Sequence, residues 1–153
     1  MKSDSRLKIA CIVMMIHNIT LALWGLLLTF LPDRVFEVSS LSFLGRNWAS
    51  IKQSDGRMVD YITSYARFWG LQGIVIGVLI IFLTLVPYRK GERWAWLCIA
   101  VGSTIGWLSA ALLDARLGLL SIVYIDLIPL ALAYFSLALA GTTIFAWNRA
   151  QVK

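Results

Sequence analysis

The sequence has few charged residues for its length. Only 14% of the 153 residues are Asp, Glu, Lys or Arg, whereas soluble domains contain about 25%. The apolar share is 59%, against about 45–50% in soluble domains. A water-soluble globular fold is therefore excluded, because the core of a 153-residue domain cannot bury so much apolar surface. The sequence predicts an integral membrane protein.

Histidine and cysteine are scarce as well. The chain has one histidine and two cysteines, Cys11 and Cys98, which lie too far apart in sequence for a CxxC redox motif. Metal sites use three or four ligands, and no predicted span contains a glutamate. The sequence therefore predicts no metal site, and it offers no nucleophile with a base and no carboxylate pair for catalysis.

Long uncharged runs dominate what is present. A hydrocarbon core about 30 Å thick needs about 20 helical residues, and four runs are long enough. The predicted fold is all-α, a single membrane domain over residues 1–153 with four transmembrane helices at about 8–31, 67–88, 94–113 and 121–147.

The positive charges predict the orientation of these helices. Eight Lys and Arg residues flank the side that carries both chain ends, against six on the other side. By the positive-inside rule both termini are predicted to be cytoplasmic, in a plasma or inner membrane. The basic residues are expected to face anionic lipid, and nucleic-acid binding is not predicted.

The outer loop, residues 32–66, is longer than a helix connection requires. Apolar residues at steps of three and four predict a short amphipathic helix in the headgroup region: Leu41, Leu44, Trp48 and Ile51. Ser54 or Asp55 is expected to cap a further helix that continues into the second span. The loop is either an interfacial cover or a docking surface for another subunit or a substrate.

Two polar residues, His17 and Asn18, are predicted at mid-membrane depth, where ionisable groups are functional candidates. His17 is expected to hydrogen-bond a neighbouring helix. Proton or ligand chemistry and tetrapyrrole ligation are the alternatives. We predict no cofactor, with bound lipid the one exception.

A second polar group is predicted near the outer ends of the spans. Its members are two cations, two carboxylates and an amide: Arg67, Arg116, Asp114, Asp126 and Gln72. Mutual pairing would offset the cost of burying these charges. We predict an ion-pair clasp, with a polar ligand or ion site as the alternative.

Small and aromatic residues indicate helix packing and a possible pocket. The steps Gly73–Gly77, Gly102–Gly106–Ala110 and Ser136–Ala140 are typical of close helix contacts, and the third span is expected to be the most central. Trp24 and Trp107 are candidate pocket residues, with core packing as the alternative.

Two stretches of the sequence resemble a known family. They are Tyr65-Ala66-Arg67-Phe68-Trp69-Gly70, followed by Gly73 and Gly77, and Pro87-Tyr88-Arg89-Lys90-Gly91-Glu92-Arg93-Trp94-Ala95-Trp96. This part of the chain is similar to DoxX-like proteins, small four-helix membrane proteins of unknown function. The resemblance implies a four-helix bundle without a defined activity, and some relatives act as subunits of membrane redox complexes.

These observations favour a non-catalytic accessory or stabilising subunit of a larger membrane complex. The expected partners are membrane lipids and either other membrane subunits or further copies of the chain. The alternatives are a binder or isomerase of lipophilic small molecules with an outer-leaflet pocket, and a small dimeric transporter.

Overall fold

The described residues of the computed structural model are 5–116 and 120–151, with side chains described except at 42–44, 120–122, 125 and 146–151. Within these ranges the chain forms six helices and a short π-helical segment. They are α1 (Ser5–Phe30), α2 (Pro32–Leu44), α3 (Trp48–Ser54), α4 (Gly56–Leu83), the π-helical segment Thr84–Tyr88, α5 (Arg93–Arg116) and α6 (Leu120–Gln151).

Among the described residues, four helical stretches are long and apolar enough to cross a membrane: Ser5–Phe30, Gly56–Tyr88, Arg93–Arg116 and Asp126–Phe145. The predicted all-α fold with four transmembrane helices is confirmed. The second of these helices begins at Gly56 rather than at about residue 67. Residues 1–4 and 152–153 at the chain ends lie outside the described residues, and their cytoplasmic location stays a prediction.

Local sequence signals set the helix ends in the outer loop. Gly45 ends α2 with a φ of 62°, a left-handed conformation that favours glycine, and its N–H donates to the Leu41 carbonyl. The Asn47 side chain caps α3 by accepting from the Ala49 N–H at 3.0 Å. As expected, Asp55 caps α4, because its Oδ1 accepts from the Met58 N–H at 3.1 Å.

Pro87 explains the π-helical segment at the end of α4. Proline has no N–H, and its ring clashes with the carbonyl four residues earlier. The backbone widens here, so that the Arg89 N–H donates to the Thr84 carbonyl five residues back at 3.1 Å. This turn buries the side chain of Tyr88 completely.

The chain packs as two compact units. A larger unit contains residues 1–19 and 79–153, and a smaller unit contains residues 20–78. The core of the larger unit is built from small and branched apolar side chains and one tyrosine: Ala10, Met14, Tyr88, Ala95, Ile99, Ala133, Leu137, Ala140 and Ile144.

The outer loop contains two helices where the sequence predicted one. Gly45 breaks the apolar stripe, so Leu41 is exposed on α2 while Trp48 and Ile51 are buried on α3. The side chain of Leu44 lies outside the described residues. The Trp48 ring stacks on Phe36 with centroids 4.9 Å apart. The prediction of a single amphipathic helix was wrong, because apolar residues can keep a spacing of three and four on both sides of a turn. The spacing alone therefore does not reveal the break at Gly45.

An ion pair locks α3 against α2. Asp33 Oδ1 accepts from Lys52 Nζ at 2.8 Å and from Trp48 Nε1 at 3.1 Å. The Lys52 hydrogen bond, followed by the Trp48 hydrogen bond, holds the pKa of Asp33 below its ordinary value of 3.8, and the charge of Arg67 adds to this effect. These contacts tie α3 to the first turn of α2.

We expect this lock to weaken in acid. Because the folded-state pKa of Asp33 lies below the unfolded one, its stabilisation is complete above pH 3.8 and is lost as the pH falls through the folded pKa. The near-UV circular dichroism of Trp48, obtained by subtracting the spectrum of Trp48→Phe, should fade below that pH. Asp33→Asn should give a weak Trp48 signal at every pH. An acid transition in Asp33→Asn identical to that of the unchanged chain would contradict the lock.

Candidate functional site

A buried hydrogen-bond network joins three helical segments of the larger unit. Ser136 Oγ on α6 donates to the Ala10 carbonyl on α1 at 2.8 Å. The Tyr88 hydroxyl lies 3.1 Å from the Ser136 carbonyl and 3.1 Å from its Oγ. Because a hydroxyl in hydrocarbon has no water to bond, these contacts satisfy the polar groups and fix the packing of the helices.

Trp96 forms a second anchor between α5 and α6. Its Nε1 donates to the Leu137 carbonyl at 2.8 Å, and its ring packs edge-on against Phe145. A Cβ on Gly141 would lie 3.5 Å from Nε1, so the indole lies directly over this glycine. The guanidinium of Arg93 lies 5.4 Å from the Phe145 ring centroid and covers its face. These contacts join the start of α5 to the second half of α6.

His17 is buried in the larger unit, where it meets an aromatic side chain of α5. The imidazole and the Trp107 ring have centroids 5.7 Å apart and planes inclined by 54°. Among the described residues the imidazole has this ring contact and no hydrogen-bond partner. His17 therefore reaches a neighbouring helix by ring packing and not by the expected hydrogen bond. Trp107 is half-buried against it, which favours core packing for this tryptophan.

Asn18 is completely buried beside His17. Its Nδ2 donates to the Met14 carbonyl of the preceding turn at 2.8 Å, a bond within α1. Its Oδ1 is buried and finds no hydrogen-bond partner within the described part of the chain. The amide of Asn18 thus bonds its own helix.

The predicted cluster of outer charges is only partly assembled in the larger unit. Asp126 on α6 is half-buried, and its carboxyl lies within interaction range of the Asp114 carboxyl at the end of α5. Its Oδ2 has no hydrogen-bond partner among the described residues. Arg116 is exposed at the end of α5. Among the described residues of this unit, Asp126 meets a carboxyl group, that of Asp114, and the pairing of Asp126 with Arg67 stays a prediction.

In the smaller unit the other candidate residues are largely exposed. Arg67 is exposed on α4 and acts on the charge of Asp33. Gln72 is exposed as well, and 46% of the Trp24 surface is open. A pocket lined by Trp24 and Trp107 stays a prediction.

A close helix contact in the smaller unit is made by two glycines, Gly25 on α1 and Gly70 on α4. A Cβ on Gly70 would lie 2.6 Å from the Gly25 carbonyl oxygen and 2.7 Å from the Thr29 nitrogen, and it would also collide with Thr29 Oγ1. A Cβ on Gly25 would lie 2.6 Å from the Gly70 carbonyl oxygen. The two backbones are therefore in direct contact. The sequence indicated Gly73 for this role, and it lies beside the contact.

The glycines of α5 have the opposite environment. A Cβ on Gly102 or Gly106 would meet no atom within 4 Å, and both residues are exposed. In the most apolar stretch of each helix, 17% of the residues of α5 are buried, against 28% for α1 and for α6. The expectation that the third span is the most central helix was therefore wrong. Gly102 and Gly106 face outward, where they leave room beside the helix.

Within residues 5–116 and 120–151, no three His, Cys, Asp or Glu side chains come together as a metal site. No protein-family model, curated protein or solved structure matches the chain. The resemblance to DoxX-like proteins stays a prediction.

Proposed function

We propose that this protein is a non-catalytic accessory subunit that binds a transmembrane helix of another membrane protein through α5. The observation that carries the proposal is the open space beside Gly102 and Gly106. Glycines at this spacing allow helix backbones to approach closely, and in lipid such packing is a main source of association. The Gly25–Gly70 contact is an example of this approach within the chain.

A second open surface of α5 also has room for a helix. A groove of about 250 Å³ lies on a different face of α5 from Gly102 and Gly106 and is lined by Ala100, Val101, Thr104 and Ile105. Lipid chains fill such a groove loosely, whereas the side chains of a helix can interlock with it. The Ser109 hydroxyl lies on an exposed part of α5, where it donates to the Ile105 carbonyl and can accept a hydrogen bond from a partner helix.

Site-specific photocrosslinking in native membranes tests this proposal. A photoreactive residue at Ile105, which is exposed on α5, should give one discrete adduct with another membrane protein. The same residue at Val75, which is exposed on α4, is the matched control and should not give that adduct.

The double variant Gly102→Leu and Gly106→Leu separates partner binding from folding. Because the added side chains point into open space, the chain should keep its thermal stability while the adduct from position 105 disappears. An adduct that survives in this variant would contradict the proposal. An adduct formed only between two copies of the chain would contradict the accessory role.

A further inference from the structure

The pair of helices α2 and α3 forms a defined structure with one apolar stripe left open. Asp33, Phe36 and Glu37 face α3, where they meet Lys52 and Trp48. Since helical residues are spaced by 100°, a different face of α2 carries Arg34, Val38 and Leu41. The contacts with α3 therefore fix which residues of α2 stay uncovered.

The two apolar residues of this stripe are among the most exposed in the protein. Val38 is 88% exposed and Leu41 is 69% exposed. Exposing such side chains to water is unfavourable, and contiguous apolar surface marks an interaction site.

The stripe is continuous along the chain with a surface that already belongs to the membrane. Phe30, the last residue of the first transmembrane helix, is 71% exposed, and Leu31 is half exposed. Pro32 begins α2 directly after them. The stripe therefore begins at Arg34, four residues after the end of a membrane span, and its first apolar residue, Val38, follows one turn later.

Charge does not account for an interaction at this face. Residues 32–55 contain three cations and three carboxylates: Arg34, Arg46, Lys52, Asp33, Glu37 and Asp55. Arg34 is paired with Glu37 at 3.1 Å and Lys52 with Asp33 at 2.8 Å. A segment without net charge has no general attraction for an anionic partner, so the apolar stripe is the feature that determines what binds.

We propose that α2 lies in the interfacial layer of the membrane leaflet next to it, with Val38 and Leu41 inserted between the lipids. Amphipathic helices of this kind bury their apolar face about 5–10 Å into the boundary between headgroups and acyl chains. The occupant of the stripe is thus lipid, and the binding depends on apolar contact and not on lipid charge.

Lipid-borne quenchers test this placement in the full-length protein. Val38→Cys and Leu41→Cys, each in a chain with Cys11→Ala and Cys98→Ala, would carry a bimane fluorophore in nanodiscs of neutral phosphatidylcholine. Gln53→Cys, an exposed site on α3, is the matched control. Lipids spin-labelled high on the acyl chain should quench positions 38 and 41 at least about twofold more strongly than position 53.

Iodide in the aqueous phase should quench position 53 more strongly than positions 38 and 41. A salt concentration of 0.5 M should leave the quenching by spin-labelled lipid unchanged. Melting curves would establish that the labelled chains remain folded. Equal lipid quenching at all three positions would overturn the proposal. Positions 38 and 41 protected from both quenchers in native membranes, with crosslinking to another polypeptide, would overturn it in favour of a protein partner.

Discussion

Replacing Gly70 with alanine is expected to destabilise the protein by about 3 kcal/mol, the upper range for overpacking. The added methyl group would lie 2.6 Å from the Gly25 carbonyl oxygen and 2.7 Å from the Thr29 nitrogen. Because these are backbone atoms, the clash is relieved only if α1 and α4 separate. Unfolding in mixed micelles of mild detergent and dodecyl sulfate would measure the free energy.

Two controls identify the cause of this loss. Gly102→Ala should destabilise the protein by less than about 0.5 kcal/mol, because the added Cβ meets open space. Thr29→Ala should not rescue Gly70→Ala, because the backbone contacts remain. Equal losses at Gly70 and Gly102, or full rescue by Thr29→Ala, would contradict direct backbone contact.

The second large effect is expected at Trp96. Trp96→Ala should lower the free energy of unfolding by about 3 kcal/mol, as is typical of large aromatic truncations. The change removes the bond to the Leu137 carbonyl and the packing on Gly141 and Phe145. Trp96→Phe should lose much less, since a membrane hydrogen bond contributes about 0.6 kcal/mol on average.

Trp94 provides the matched control for Trp96. It lies two residues earlier in the same helix, is half exposed, and donates its indole N–H to Glu92 at 2.5 Å. Trp94→Ala should therefore cost less than about 1 kcal/mol. A loss at Trp94 as large as that at Trp96 would contradict the packing role of the Trp96 indole.

The helices were predictable because their signals are local. Uncharged runs predicted the four spans, and Ser54 or Asp55 predicted the start of a further helix, which Asp55 caps in the structure. The α2–α3 pair was not predictable from spacing, since the left-handed conformation of Gly45 interrupts the stripe without changing its period.

The packing partners were harder to predict because they depend on which face of each helix meets another. Gly25 stands alone in the first span, whereas the four-residue spacing of small residues singled out Gly102 and Gly106 of α5, which are exposed. Ser136 was identified as a small packing residue, but its bond to Tyr88 depends on the π-helical segment that buries the tyrosine. Pro87 was the available signal for that segment.

The pairing of Asp126 illustrates a further limit. Position in the sequence placed several charges at similar depth, and depth alone does not determine which of them meet. In the larger unit Asp126 faces Asp114, a residue of the same charge. Whether two charged groups touch depends on helix rotation, which a list of span ends does not contain.

Native mass spectrometry of the protein extracted in a mild detergent tests the central claim most directly. The account predicts that the chain is released together with a stoichiometric amount of another membrane protein, and that Gly102→Leu with Gly106→Leu releases the folded chain alone. A chain that is isolated without any protein partner and carries a stoichiometric small molecule would contradict the account.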